Sequence, residues 1–144
     1  DLIAWVPPHR APAVARDCGL ANETGWIPVD GKTMKTKFEG VYAIGDITAN
    51  KLPSGMMLPK AGVFAHGQAE VVSNNIAVEI NKDGELKEFD GQGSCFLELG
   101  HDIAGFASGN FYADPKPVVI LKNPGKMWHW GKVAFEKWWL WKWF

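Results

Sequence analysis

The pattern of apolar runs and turns predicts an α/β chain with a strand–turn–helix unit first and a smaller α+β region after it. Three observations carry this. Val41-Tyr42-Ala43-Ile44 is a short apolar run that ends in Gly45-Asp46. Apolar residues at Val63, Val71, Val72, Ile76 and Ile80 suit one long helix from about Pro59 to Ile80. Past Asn81-Lys82-Asp83-Gly84 the texture changes to short strand-like runs, Cys95–Leu99 and Pro117–Leu121, separated by glycine-rich turns. The expected division is therefore 1–80 and 81–144.

From the start of the chain, Asp1–Val6 reads as a buried strand closed by Pro7-Pro8, because proline cannot donate to a ladder. An apolar strand at residue one, with neither Met nor a basic leader before it, leads us to expect a piece of a longer chain. Ala11 to Leu20 reads as a short helix closed by Gly19. Trp26–Val29, Asp30-Gly31 and Thr33–Thr36 read as a hairpin with a tight Asp-Gly turn. Pro59 suits the first position of the long helix, where its missing N–H costs nothing.

Composition narrows the function. With 144 residues, 47% hydrophobic and 22% charged, the chain can bury a core of its own. A net charge of -1 offers no general attraction to nucleic acid. Two cysteines, Cys18 and Cys95, make no disulfide framework, and four scattered histidines have no metal-ligand spacing. No run of about 20 apolar residues could cross a membrane.

Chemistry concentrates in two places. A strand ending in Gly45-Asp46 turns sharply and presents a carboxylate at its C-terminal edge, where open α/β sheets bind ligands. Such a carboxylate accepts hydrogen bonds from sugar or ribityl hydroxyls. The helix beyond Leu58-Pro59-Lys60-Ala61-Gly62 aims its first N–H groups and positive dipole end at the same crevice, and Lys60 adds a full charge. A lone Gly-Asp is usually only a turn. The run Val41–Asp46 with Leu58–Gly62 and the long helix, however, resembles flavoproteins of the pyridine-nucleotide–disulfide oxidoreductase superfamily. The Pro-Lys-Ala-Gly helix start is similar to their sulfide:quinone oxidoreductase branch.

That resemblance implies the C-terminal part of an FAD-binding Rossmann-like domain followed by a small α+β C-terminal domain facing quinone and membrane. It implies FAD contacts at Gly45, Asp46, Lys60, Ala61 and Gly62, with Asp46 on the ribityl chain. The Gly-x-Gly-x-x-Gly fingerprint is absent from these residues, so the flavin site they carry is incomplete. Cys95, which as a buried strand residue would be an inert hydrophobe, becomes the sulfur-accepting cysteine. Lys132 and Phe135, with Phe96 beside Cys95, become quinone-pocket residues. A flat ring suits stacking on a quinone, and a lysine stabilises charge on its oxygen.

Six of the eight tryptophans lie from Trp128 onward. At about 100° per residue, Trp128, Trp130, Ala134, Phe135, Trp138, Trp139 and Trp141 fall in one half of a helix. Lys126, Lys132, Glu136 and Lys137 fall in the other. Indoles beside lysines suit a helix in the headgroup layer, or a dimer interface. The expectation is a peripheral, monotopic protein of a prokaryotic cytoplasmic membrane, using sulfide and a quinone, with homo-oligomerisation open. A type II NADH:quinone oxidoreductase fragment is the enzymatic alternative, and needs no redox cysteine. A non-catalytic membrane-anchoring or dimerisation module is the other.

Overall fold

The computed structural model describes residues 2–144; Asp1 lies outside the described residues. The chain divides into two compact units, residues 2–51 with 56–89, and residues 52–55 with 90–144.

In the first unit, α1 (Ala13–Asp17) is a short helix followed by Gly19 in the left-handed region. β1 (Ile27–Pro28) pairs in parallel with β2 (Thr48–Ala49). Ala11, Ala15, Ile27 and Ala43 form a small core flanked by Leu20, Trp26, Val29 and Ile47. α2 (Gly62–Asn81) is the long helix. Its buried residues are Phe64, Gln68, Val71, Val72 and Asn75, a single stripe at helical spacing.

Several expectations change here. Residues 2–6 form no strand; Leu2, Ile3, Trp5 and Val6 stand exposed, because a strand needs a neighbour's ladder and none runs beside them among the described residues. The 26–36 hairpin does not form. Instead the Asp30 carboxylate accepts from the Lys32 and Thr33 amides and the Thr33 hydroxyl, at 3.1, 2.8 and 2.7 Å, closing a side-chain turn. β1 then pairs with β2, and the strand expected at 41–44 is reduced to a single bridge between Lys35 and Tyr42, so Gly45-Asp46 follows an extended segment rather than a sheet strand. The long helix begins at Gly62 rather than Pro59. The Leu58 amide donates to Asn50 and the Lys60 ammonium to the Asp46 and Thr48 carbonyls, which ties residues 58–60 to the preceding turn in extended form. Ile76 and Ile80 point to solvent, while the two polar residues of the stripe are buried. Asn75 exchanges two hydrogen bonds with the Lys87 backbone, at 2.8 and 2.9 Å, and so pins the chain after α2. Phe89 then packs edge-on against Phe64 with ring centroids 6.4 Å apart.

The second unit is an antiparallel sheet in the order β3 (Gln92–Gly100), β4 (Ile103–Asn110), β5 (Val118–Gly125), with α3 (Lys126–Trp143) against it. The β3–β4 hairpin turns through His101-Asp102, both at positive φ, the geometry of a primed two-residue turn. β4 is the strand the sequence conceals. Its small residues Gly105 and Gly109 read as turn formers, yet they sit mid-strand where neighbours approach closely. A Cβ at Gly109 would stand 2.3 Å from the Val118 carbonyl oxygen.

The aromatic half of α3 is divided between two environments. Trp128 stacks on Phe106 with centroids 4.7 Å apart and planes within 8°. Gly131 lets Phe96 approach, and Phe135 lies 6.2 Å from Phe96. Trp130 and Trp141 are 64% and 81% exposed. Residues 128, 131, 135 and 139 share one side of a helix, and 130 and 141 the other. The broad face expected from periodicity is therefore half sheet contact and half open surface.

Candidate functional site

In the first unit, Gly45 occupies the left-handed region at φ 71°, and its Cβ position lies 3.2 Å from Ala65 of α2. Only glycine makes this turn so close to the helix without strain. A short 3₁₀ turn, Gly45–Ile47, follows. Gln68, 1% exposed, accepts a hydrogen bond from the Gly45 amide at 2.7 Å, and the Thr48 hydroxyl donates to the Gly45 carbonyl at 2.8 Å. Gln68, in the middle of α2, is thus a site residue that no short motif marks. The signal that could have found it is a glutamine in the middle of an apolar helical stripe.

Lys60 is spent on the turn itself. Its ammonium donates to the carbonyls of Asp46 and Thr48 and stands 3.6 Å from the centroid of the Trp26 ring. Burial lowers its pKa from the ordinary lysine value, and the Asp46 charge opposes that shift. Asp46 remains exposed. Around these groups lies a shallow cleft lined by Gly45, Asp46, Lys60, Ala61 and Gln68 among others. Ala61 caps α2 in extended conformation with no side-chain hydrogen bond to the first turn, and Gly62 opens the helix. A carboxylate, a helix N-terminus and a backbone turn thus meet in one crevice. That donor and acceptor set suits a polyhydroxylated ligand segment bearing negative charge.

In the second unit, the ladder sets the remaining candidates. Cys95 pairs with Ala107, and Phe96 with Phe106. Phe96 contacts α3, so alternation puts Cys95 on the opposite face of the sheet. Cys95 is exposed rather than buried, and both cysteines are free thiols. Phe96 meets Phe135 on the α3 side, and Lys132 lies one helical turn before Phe135. Lys132 Nζ stands 3.6 Å from Glu98 Oε2. His129, read from the sequence as a scattered histidine, has Nδ1 3.1 Å from Glu98 Oε1 and Nε2 3.7 Å from Asp102 Oδ1. Among the described residues no cluster of His, Cys, Asp and Glu could hold a metal ion.

No protein-family model matches the chain. Individual relatives do. The mitochondrial sulfide:quinone oxidoreductase of Mus musculus is 27% identical over 116 residues, 80% of this chain and 24% of the relative. That of Schizosaccharomyces pombe is 30% identical over 117 residues, 81% of this chain and 24% of the relative. The sulfide-quinone reductase of Aquifex aeolicus is 28% identical over 145 aligned positions, 96% of this chain and 33% of the relative. The X-ray structure of the sulfide:quinone oxidoreductase from Aquifex aeolicus superposes with a TM-score of 0.78 at 27% identity, covering 92% of this chain and 32% of that one. The chain thus spans about a quarter to a third of the length of these relatives. Its mixed α/β fold matches the C-terminal region of that structure. In sequence and in fold, this chain is similar over most of its length to the sulfide:quinone oxidoreductases.

Proposed function

We propose that the chain is the C-terminal part of an FAD-dependent oxidoreductase that oxidises sulfide and reduces a membrane quinone. The observation that carries this is the Gly45-Asp46 turn, held by Gln68 and Lys60 against the start of α2 and opening on a cleft. These residues fit a flavin segment. Asp46 accepts from ribityl hydroxyls, and the first amides of α2 at Gly62 stabilise negative charge on the pyrimidine side. Lys60 and Ala61 hold the approach between turn and helix. FAD, when bound, supplies the two-electron step between sulfide and quinone.

Cys95 takes the sulfur. As an exposed thiol on a rigid strand it is open to attack on, or by, a second sulfur. That second sulfur is expected outside these residues. Phe96, Phe135 and Lys132 form the quinone-facing group, with aromatic planes for the ring and an ammonium for its oxygen.

A membrane surface is the partner that the outer side of α3 supports. Trp130, Trp141 and Phe144 are exposed, and Lys126 and Lys137 lie on the same side of the helix. No helix of the described residues is long and apolar enough to cross a membrane, so contact would be peripheral.

The test uses the full-length protein that carries this chain. Asp46→Ala should weaken FAD binding by about 10- to 150-fold, the equivalent of the roughly 1.5–3 kcal/mol of a hydrogen bond to a charged group. Cys95→Ser should abolish sulfide-dependent quinone reduction with FAD retained, and Cys18→Ser should leave the rate near normal. Stoichiometric flavin in the Asp46 variant would remove that residue from the site. Equal behaviour of the two cysteine variants would favour an NADH:quinone oxidoreductase instead.

A further inference from the structure

We propose that Asp102, His129, Glu98 and Lys132 form a proton relay from solvent to the quinone-facing side chains. This deepens the function proposed above and rests on its assignment of Lys132 and Phe135 to the quinone.

The four groups come from three separate elements. Glu98 lies on β3, Asp102 in the β3–β4 turn, and His129 and Lys132 lie one turn apart on α3. Both ring nitrogens of His129 face carboxylates, Nδ1 toward Glu98 at 3.1 Å and Nε2 toward Asp102 at 3.7 Å. The other oxygen of Glu98 faces the Lys132 ammonium at 3.6 Å. Side-chain exposure is 72% at Asp102, 19% at His129, 35% at Glu98 and 40% at Lys132, so His129 is the most enclosed of the four and joins the two carboxylates. From Glu98 it continues to Lys132, one helical turn before Phe135. The contacts of 3.6 and 3.7 Å are lengths that a bridging water or a small rotamer adjustment closes. The groups facing His129 are Glu98 from β3, Asp102 from the turn and, beyond Glu98, Lys132; Trp130 meets its ring edge-on.

The chemistry uses a proton donor at this point. A quinone becomes a quinol by gaining two electrons and two protons. FAD, when bound, would supply both electrons and one of the two protons. The second proton passes from Lys132 to the quinone oxygen; the neutral lysine is recharged from the His129 imidazolium by way of Glu98. His129 is reprotonated from water at Asp102. In sum, two electrons and one proton from the cofactor and one proton from Lys132 would convert quinone to quinol. Histidine suits the task because one ring nitrogen can accept a proton while the other donates one.

The experiment uses the full-length, flavin-loaded protein with sulfide and decylubiquinone. In His129→Gln and Glu98→Gln, quinone reduction should fall by about 10²-fold, the low end for a general acid. Sulfide-driven flavin bleaching should stay at the wild-type rate. Added imidazole should restore rate to His129→Gln. Decylubiquinone affinity, read by quenching of tryptophan emission in the flavin-free protein, should be unchanged. Rates within twofold of wild type would overturn the relay. So would a loss that imidazole cannot rescue and that parallels a fall in quinone affinity, since that marks a mere staple of α3 to the hairpin. If the wild-type protein bleaches its flavin with sulfide but reduces no quinone, the proposed function fails, and the relay with it.

Discussion

Gln68→Leu tests whether the ligand-facing turn is held from beneath. Gln68 is 1% exposed, and its Oε1 accepts from the Gly45 amide at 2.7 Å. Leucine keeps most of the volume and removes the acceptor. The lost bond exposes the desolvation cost of an amide left without its partner, about 1–3 kcal/mol. Gly45 is itself only half-buried, so water can recover part of this, and we expect about 1–2 kcal/mol. The direct assay is hydrogen exchange at the Gly45 amide. At 1.4 kcal/mol per factor of ten, protection there should fall by roughly 5- to 30-fold, while amides in the middle of α2 change less. Flavin affinity in the full-length protein should fall alongside. Unchanged Gly45 exchange in a folded Gln68→Leu protein would refute the claim that this side chain holds the turn.

Further outcomes follow from other contacts. Gly109→Ala places a methyl 2.3 Å from the Val118 carbonyl, so the β4–β5 ladder must open there; we expect a loss of about 1–3 kcal/mol or more, read by urea titration of the tryptophan emission. Glu79 Oε1 takes hydrogen bonds from Lys35 and from the Tyr42 hydroxyl, and these lower its pKa below the ordinary glutamate value. A depressed carboxylate pKa stabilises the fold above the unfolded value and loses that contribution as pH falls through the folded value. Acid titration of Glu79→Gln by circular dichroism should therefore show a shallower loss of stability below the glutamate range than wild type. At the membrane, wild-type chain should float with anionic vesicles at low salt, with blue-shifted tryptophan emission. Trp130→Ser with Trp141→Ser should abolish this, whereas failure of the wild-type chain to float removes the membrane assignment for these residues.

What could be read along the chain was whatever is written in neighbouring residues. The Gly45-Asp46 turn, the long helix, the strand through Cys95 and the C-terminal helix each carry their signal within a few positions, because backbone preference and periodicity act over one or two turns. The resemblance built on those segments agrees with the relatives and with the fold. Features that depend on register stayed hidden. Asp30-Gly31 signalled a hairpin, but the Asp30 side chain closes the turn and β1 takes a parallel partner instead. Gly105 and Gly109 read as turns because composition cannot tell a flexible glycine from one that a neighbouring strand requires. Periodicity named an aromatic half of α3, and only docking on Phe96 and Phe106 separates the tryptophans that pack from those that face outward. The polar contacts were the least legible. Gln68 meets Gly45 across 23 residues and His129 meets Glu98 across 31. Nothing local marks either pair, since each arises when helix and strand backbones settle at a particular register, and that register is fixed by packing of the whole unit.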